Sequence, residues 1–178
     1  METIRNLLLI AGTGTKTGKT TMACRIISEL SDLGITAIKI TPHFHETTPG
    51  LITIDEGKGY AIYEETESGM GKDTSRMLAA GADKVYFAKV WDEHLPDVFR
   101  KIMRLIAIGS PVICESPALR KYIEPGVFLI MKSMTENKQK NISDLLEFPH
   151  VMVELENISG QKDLPVRFDK GSWKAAEK

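Results

Sequence analysis

The sequence predicts a three-layer α/β protein with a mostly parallel sheet and an inserted β-hairpin. Short apolar runs bounded by turn residues alternate with segments whose apolar residues recur at helical spacing, and this alternation is typical of parallel sheets. Residues 50–66 break the alternation, because two β-type runs there flank the turn sequence DEGKG. The length of 178 residues is that of one ordinary domain.

The hydrophobic pattern places each element. Residues 4–11 are expected to form a buried strand, and residues 19–33 an amphipathic helix that Gly34 ends. Further strands are expected at residues 35–40, 83–90, 110–116, 126–133 and 150–156, and further helices at residues 71–82, 94–108 and 142–147.

The domain is expected to span residues 1–160, followed by a C-terminal tail at 161–178. In the tail, LPVRFD (164–169) is expected to form an edge strand, and KGSWKAAEK (170–178) is expected to be loosely held because it is polar and terminal.

Composition excludes some classes of partner. The net charge of −1 disfavours broad electrostatic attraction to nucleic acid or to anionic membranes. No apolar run approaches the roughly 20 residues of a membrane-spanning helix, and no signal-peptide pattern is present, so a cytoplasmic protein is expected. Cys24 and Cys114 lie in apolar patterns and are expected to be buried thiols.

The sequence GTGTKTGKT at residues 12–20 lies between the first strand and the first helix. It resembles the phosphate-binding pattern G-x-x-x-x-G-K-[ST], except that Thr13 stands where the first glycine is usual. Lys19 is expected to reach the β- and γ-phosphates, and the Thr20 hydroxyl to bind Mg²⁺. The candidate phosphate-binding residues are Gly14, Thr15, Lys16, Thr17, Gly18, Lys19, Thr20 and Thr21.

This loop in this setting predicts a three-layer P-loop NTPase fold. The motif requires a strand before it and a helix after it, and both are predicted here. The glycines let backbone N–H groups turn around an anion, and the first turn of the helix adds its own N–H groups. The alternative is a flexible Gly/Thr turn that caps the helix.

Three further residues are candidates for the same site. Glu115 ends the apolar run PVIC and could hold Mg²⁺ through water or orient an attacking water; the alternative is an exposed strand end. Lys39 ends the second strand and could neutralise phosphate, or simply reach solvent. Asp73 is either a second carboxylate near the metal or a helix cap. The candidate catalytic residues are therefore Lys19, Glu115 and Asp73, and the candidate metal ligands are Thr20 and Glu115.

Other polar residues carry weaker signals. Arg76 together with Lys72 could clamp an anionic substrate, or both could be surface charges. His43 and His45 have a spacing compatible with a metal or with proton transfer, but no third ligand is close in sequence, so polar loop residues are favoured. NKQK at 137–140 lacks the aspartate of a guanine-reading motif, so the sequence leaves GTP and ATP open.

Three stretches resemble known families. GTGTKTGKT is similar to the loop of dethiobiotin synthetases. Together with AIKITPHFHETTPG and GKDTSRMLAAGADKV, it resembles the molybdopterin-guanine dinucleotide biosynthesis protein B family over residues 1–90, and the strand ending in ICES resembles that family's strand ending in glutamate. The resemblance implies a guanine nucleotide, an enzyme of molybdenum-cofactor biosynthesis as a partner, and a homodimer.

Three functions therefore remain open. The first is a nucleotide-binding adaptor of molybdenum-cofactor biosynthesis; its hydrolysis should be slow, because no arginine finger or water-positioning glutamine is identifiable. The second is an ATP-dependent ligase or kinase of the dethiobiotin synthetase type, in which Lys39, Asp73 and Glu115 position an acceptor. The third is a nucleotide-gated, non-enzymatic interaction module that pairs through its hairpin.

Overall fold

The computed structural model describes residues 1–133, 141–158, 160 and 162–177, and in these ranges strands alternate with helices. The strands are β1 (Glu2–Gly12), β2 (Thr36–Thr41), β3 (Leu51–Gly57), β4 (Tyr60–Glu65), β5 (Lys84–Val90), β6 (Val112–Glu115), β7 (Ile123–Lys132), β8 (Val151–Glu154), β9 (Val166–Asp169) and β10 (Ser172–Ala175). The helices are α1 (Lys19–Glu29), α2 (Asp73–Ala79), α3 (Leu95–Met103) and α4 (Ser143–Leu146).

Eight of these strands form one mixed sheet in the order β3-β4-β5-β2-β6-β1-β7-β8. The six strands from β5 to β8 in that order pair in parallel, whereas β4 is antiparallel to both β5 and β3. The predicted α/β class, the mostly parallel sheet and the inserted hairpin are thus confirmed. The hairpin β3–β4 extends the main sheet at one edge instead of lying on its surface.

Both faces of the sheet are covered. Along β1, Leu7 and Leu9 face a cluster that includes side chains of α3, whereas Leu8 and Ile10 face a cluster that includes side chains of α1 and α2. All four of these residues are fully buried, which explains why β1 is apolar at consecutive positions instead of alternating ones. The arrangement is compatible with a three-layer α/β fold.

Helix α3 is shorter than the hydrophobic pattern predicts. It ends at Met103, and the chain continues with tighter i→i−3 bonds, in which the Leu105 and Ile106 amides donate to the carbonyls of Ile102 and Met103. Leu105 lies within the predicted helix 94–108 but beyond the end of α3, and it is 45% exposed.

The C-terminal tail differs from its prediction. Strands β9 and β10 pair with each other in a separate two-stranded sheet, so LPVRFD contributes a strand, as predicted, but outside the main sheet. Trp173 of β10 is buried, and its indole Nε1 donates to the Val112 carbonyl at 3.1 Å. The expectation of a loose tail was therefore wrong through Ala175, because one large aromatic side chain anchors the hairpin to the core.

Neither cysteine forms a disulfide bond. Cys24 is half-buried and Cys114 is buried, and burial raises the pKa of each thiol.

No helix in the ranges given above combines the length and the apolar character that crossing a membrane requires.

Candidate functional site

The carboxyl ends of the central parallel strands bring distant residues together. Strand β6 lies between β1 and β2, and Glu115 at its end is in register with Ile10 on one side and with Lys39 on the other. The β1–α1 loop leaves the sheet at this same edge. Ligands of open α/β sheets usually bind in such a position.

The loop that joins β1 to α1 depends on a glycine at its end. Gly18 precedes the first residue of α1 and has a φ of 84°, which favours glycine. A Cβ on Gly18 would lie 2.4 Å from Leu155 Cδ1, so any other residue would also require the Leu155 side chain to shift. The backbone conformation is therefore the main reason that position 18 favours glycine.

The glycine that precedes Thr13 has a packing role. A Cβ on Gly12 would lie 2.2 Å from the Thr17 hydroxyl oxygen and 3.1 Å from the Lys19 side chain. The loop thus folds back tightly over the end of β1. Thr13 is buried, and its amide donates to the Met131 carbonyl at 2.9 Å, which ties the start of the loop to β7.

Lys19 lies across the loop that precedes it. Its Nζ donates to the Gly14 carbonyl at 2.8 Å and to the Thr17 hydroxyl at 3.4 Å. The ammonium group is therefore held over the loop backbone, where an anion bound by the loop would meet it.

A line of charged and polar groups runs from α1 across the strand ends to α2. Thr20 Oγ1 donates to Glu115 Oε2 at 2.9 Å, and Lys39 Nζ donates to Glu115 Oε1 at 3.2 Å. Lys39 also pairs with Asp73, whose other oxygen lies 3.7 Å from Arg76 Nη1. Residues far apart in sequence thus share one network.

The network shifts the pKa values of its members. Burial alone would lower the pKa of Lys39, but the carboxylates of Glu115 and Asp73 outweigh it and raise this pKa above its ordinary value. Burial alone would raise the pKa of Asp73, but Lys39 and then Arg76 hold it below its ordinary value. Lys39 is therefore positively charged and Asp73 negatively charged at neutral pH.

These residues line one cavity of about 530 Å³. Its lining consists of Thr15, Lys16, Thr17, Gly18, Lys19, Thr20, Thr21, Lys39, Asp73, Arg76, Glu115 and Leu155. The candidate phosphate-binding, catalytic and metal-binding residues, together with Lys39 and Arg76, all belong to this lining except Gly14, whose carbonyl instead accepts from Lys19. Sequence reasoning missed Leu155, because it belongs to no motif and reaches the loop only through the fold.

Other candidates lie apart from this cavity. His43 and His45 are exposed, with ring centroids 5.7 Å apart, and do not line it. Arg76 lines this cavity, whereas Lys72 lines a neighbouring one. The NKQK segment, 137–140, lies outside the described residues.

The side chains of this cavity suit a hard cation such as Mg²⁺ only if a bound ligand supplies further oxygen atoms. Within the described ranges, no group of three or more His, Cys, Asp or Glu side chains could hold a metal ion. The Thr20 hydroxyl and the Glu115 carboxylate do converge, and both are oxygen donors. Mg²⁺ commonly binds one or two such groups and completes its shell with water and substrate phosphates, so the residues fit a nucleotide-dependent Mg²⁺ site.

Comparisons of the chain with protein-family models, with curated proteins and with solved structures found no match in any of the three. What the cavity binds is therefore inferred from its own residues.

Proposed function

We propose that this chain has a P-loop NTPase fold and binds a nucleoside triphosphate together with Mg²⁺. The observation that supports this most is that Lys19, Thr20 and Glu115 meet in one cavity at the first β–α connection. These are the residue types that phosphate and Mg²⁺ binding needs, in the order that a phosphate-binding loop requires.

Each group has a distinct role in this proposal. The loop amides and the amino end of α1 bind phosphate oxygens, and Lys19 exchanges its contact with Gly14 for the β- and γ-phosphates. Thr20 and Glu115 hold Mg²⁺, directly or through water. When bound, Mg²⁺ neutralises charge on the phosphates; Lys39 adds a fixed positive charge beside it.

Calorimetric titration with ATP, GTP and their diphosphates, each with Mg²⁺, tests this proposal. The unmodified protein should bind one triphosphate, and Lys19→Ala should weaken that binding at least about a hundredfold, since a half-buried charge-assisted contact to phosphate is lost. Lys58→Ala, in the exposed β3–β4 turn, is the matched control. Equal binding by the Lys19 and Lys58 variants, or no binding by the unmodified protein, would overturn the proposal.

We further propose that the nucleotide serves an adaptor of molybdenum-cofactor biosynthesis, with slow hydrolysis. The sequence resemblance over residues 1–90 supports this. A clear preference for GTP in the titration would favour this function, and a preference for ATP would count against it.

An ATP-dependent ligase or kinase is the second candidate. It is favoured by a second cavity that adjoins the first across Lys39 and Asp73, where an acceptor could lie. Phosphate release that requires a small-molecule acceptor would distinguish it from the adaptor.

A nucleotide-gated interaction module is the third candidate. Strand β3 is an edge strand of the sheet and exposes Ile52 and Ile54, which suits pairing with a partner or with a second copy. A strictly monomeric protein with and without nucleotide would count against self-pairing.

A further inference from the structure

A second cavity of about 200 Å³ lies beside the proposed nucleotide cavity. It is lined by Lys39, Glu46, Thr48, Leu51, Lys72, Asp73, Thr74 and Phe87. Lys39 and Asp73 belong to both linings, so this ion pair forms a common wall between the two cavities. At about 30 Å³ for each water molecule, the second cavity has room for roughly seven waters, or for a compound of similar size.

The charges of this second cavity fall into two groups. Lys39 and Asp73 neutralise each other in the common wall. Lys72 and Glu46 carry opposite charges on the exposed rim, and neither forms an ion pair within the part of the chain that the structure describes. The four charges sum to zero, so a multiply charged anion would meet as much repulsion as attraction.

The remainder of the lining is apolar or uncharged. Phe87 and Leu51 are both half-buried and provide apolar surface, and Thr48 adds a hydroxyl. The segment that carries Glu46 is held down by Lys89, a buried side chain of β5 whose Nζ donates to the His45 carbonyl. The rim carboxylate is therefore attached to an anchored segment of the chain.

We infer that this cavity binds a small zwitterion with a short hydrocarbon chain. Its carboxylate would pair with Lys72, its ammonium group would pair with Glu46, and its methylene groups would lie against Phe87 and Leu51. As a second-substrate site, this inference rests on the proposed nucleotide site, because the common wall would bring the zwitterion close to the bound phosphates. As a binding site, it stands on its own lining.

Three compounds with the same five-carbon chain test the inference: 5-aminopentanoate, pentanoate and pentylamine. Titrations followed by amide NMR shifts should show that 5-aminopentanoate binds about tenfold more tightly than either of the other two, since only it satisfies both rim charges. The shifted signals should include those of Thr48, Lys72 and Phe87.

Two variants remove one rim charge each. Lys72→Met should reduce the affinity for 5-aminopentanoate about tenfold, to that of a compound with the ammonium group alone, and Glu46→Gln should do the same at the other end. Lys58→Met and Glu56→Gln, which change the same residue types at exposed positions of the hairpin, should leave the affinity unchanged.

Equal affinity for the three compounds, no shift at the cavity, or equal effects of the rim and hairpin variants would overturn the inference. Nucleotide titration of the unmodified protein separates the two proposals. Absent nucleotide binding contradicts the proposed function, whereas intact nucleotide binding with absent 5-aminopentanoate binding contradicts only the second site.

Discussion

The Thr20 hydroxyl donates a hydrogen bond to the Glu115 carboxylate across 2.9 Å, although the two residues are 95 positions apart in the chain. The bond joins the first turn of α1 to the end of β6, and both side chains are buried. It holds two oxygen ligands of the proposed Mg²⁺ site in one place before any nucleotide binds.

Glu115→Gln should remove the Mg²⁺ dependence of nucleotide binding. The amide keeps the shape of the side chain and one oxygen, but it loses the charge that attracts the cation. Mg²⁺ should increase the affinity for the triphosphate by some factor in each protein. We expect this factor to be at least about ten times smaller in the variant than in the unmodified protein. Calorimetric titration with and without Mg²⁺ measures this difference.

Thr20→Ser is the matched control for that prediction, because it keeps the hydroxyl that Thr20→Val removes. The serine variant should behave like the unmodified protein, and the valine variant like Glu115→Gln. An unchanged Mg²⁺ dependence in the glutamine and valine variants would rule out this pair as the metal site.

Lys39→Met should lower the free energy of unfolding by about 3 kcal/mol, because it leaves the buried Glu115 carboxylate without its cation. Glu115→Gln in the same background should recover part of that loss, since the unpaired charge is then gone. Urea unfolding of the two single variants and the double variant measures the coupling. Additive losses would show that Lys39 and Glu115 do not stabilise each other.

Asp73 should make stability depend on pH in the acidic range. The folded protein holds the pKa of Asp73 below its ordinary value of 3.8, so the folded state favours the ionised form. This contribution to stability is fully present above about pH 3.8 and is lost as the pH falls from there through the lower pKa of the folded state. Asp73→Asn should therefore differ most in stability from the unmodified protein above that pH.

Urea unfolding at a series of pH values measures this dependence. The difference between the unmodified protein and Asp73→Asn should shrink as the pH falls below about 3.8. Asp32→Asn, which removes an exposed carboxylate after α1, is the matched control. A constant difference for Asp73→Asn would mean that its carboxylate is not held ionised by Lys39.

Trp173→Ala should destabilise the whole domain by about 4 kcal/mol, because it removes a large side chain that is buried in the core. Trp173→Phe should cost less, about 1–2 kcal/mol, since it keeps most of the packing but leaves the Val112 carbonyl without its donor. Thermal or urea unfolding measures both. Trp91→Phe, at a side chain that is 45% exposed, is the control and should have little effect on stability. If Trp173→Ala lowered the free energy of unfolding no more than Trp91→Phe does, the tail would not be part of the core.

Much of the site could be predicted because its residues follow local rules. The loop at 12–20 lies between an apolar run and a helical pattern, and the carboxyl ends of parallel strands meet at one edge, so Lys39 and Glu115 could be expected beside it. Asp73 was left open between this site and a helix cap, because its position beside Lys39 depends on how α2 packs against the sheet. For the same reason, the sequence left open whether Lys72 and Arg76 clamp an anion or are surface charges, and the structure places them in the linings of different cavities.

Periodicity also left the ends of elements undetermined. The pattern continued past Met103, but backbone bonds to nearer carbonyls ended α3 there and exposed Leu105. In the segment 170–178, Trp173 is the one large apolar residue. Whether a single aromatic residue anchors a segment depends on the space that other elements leave for it, and local sequence does not encode that space.

By itself, the sequence determined the α/β class, the mostly parallel sheet, the inserted hairpin and the position of the glycine-rich loop, because each of these follows from short-range patterns of apolar and turn residues. The tertiary structure alone decided that Leu155 closes the loop over Gly18, that Lys39 and Asp73 separate two cavities, and that Trp173 completes the core. Those contacts join segments far apart in the chain, and they form only when packing brings the segments together.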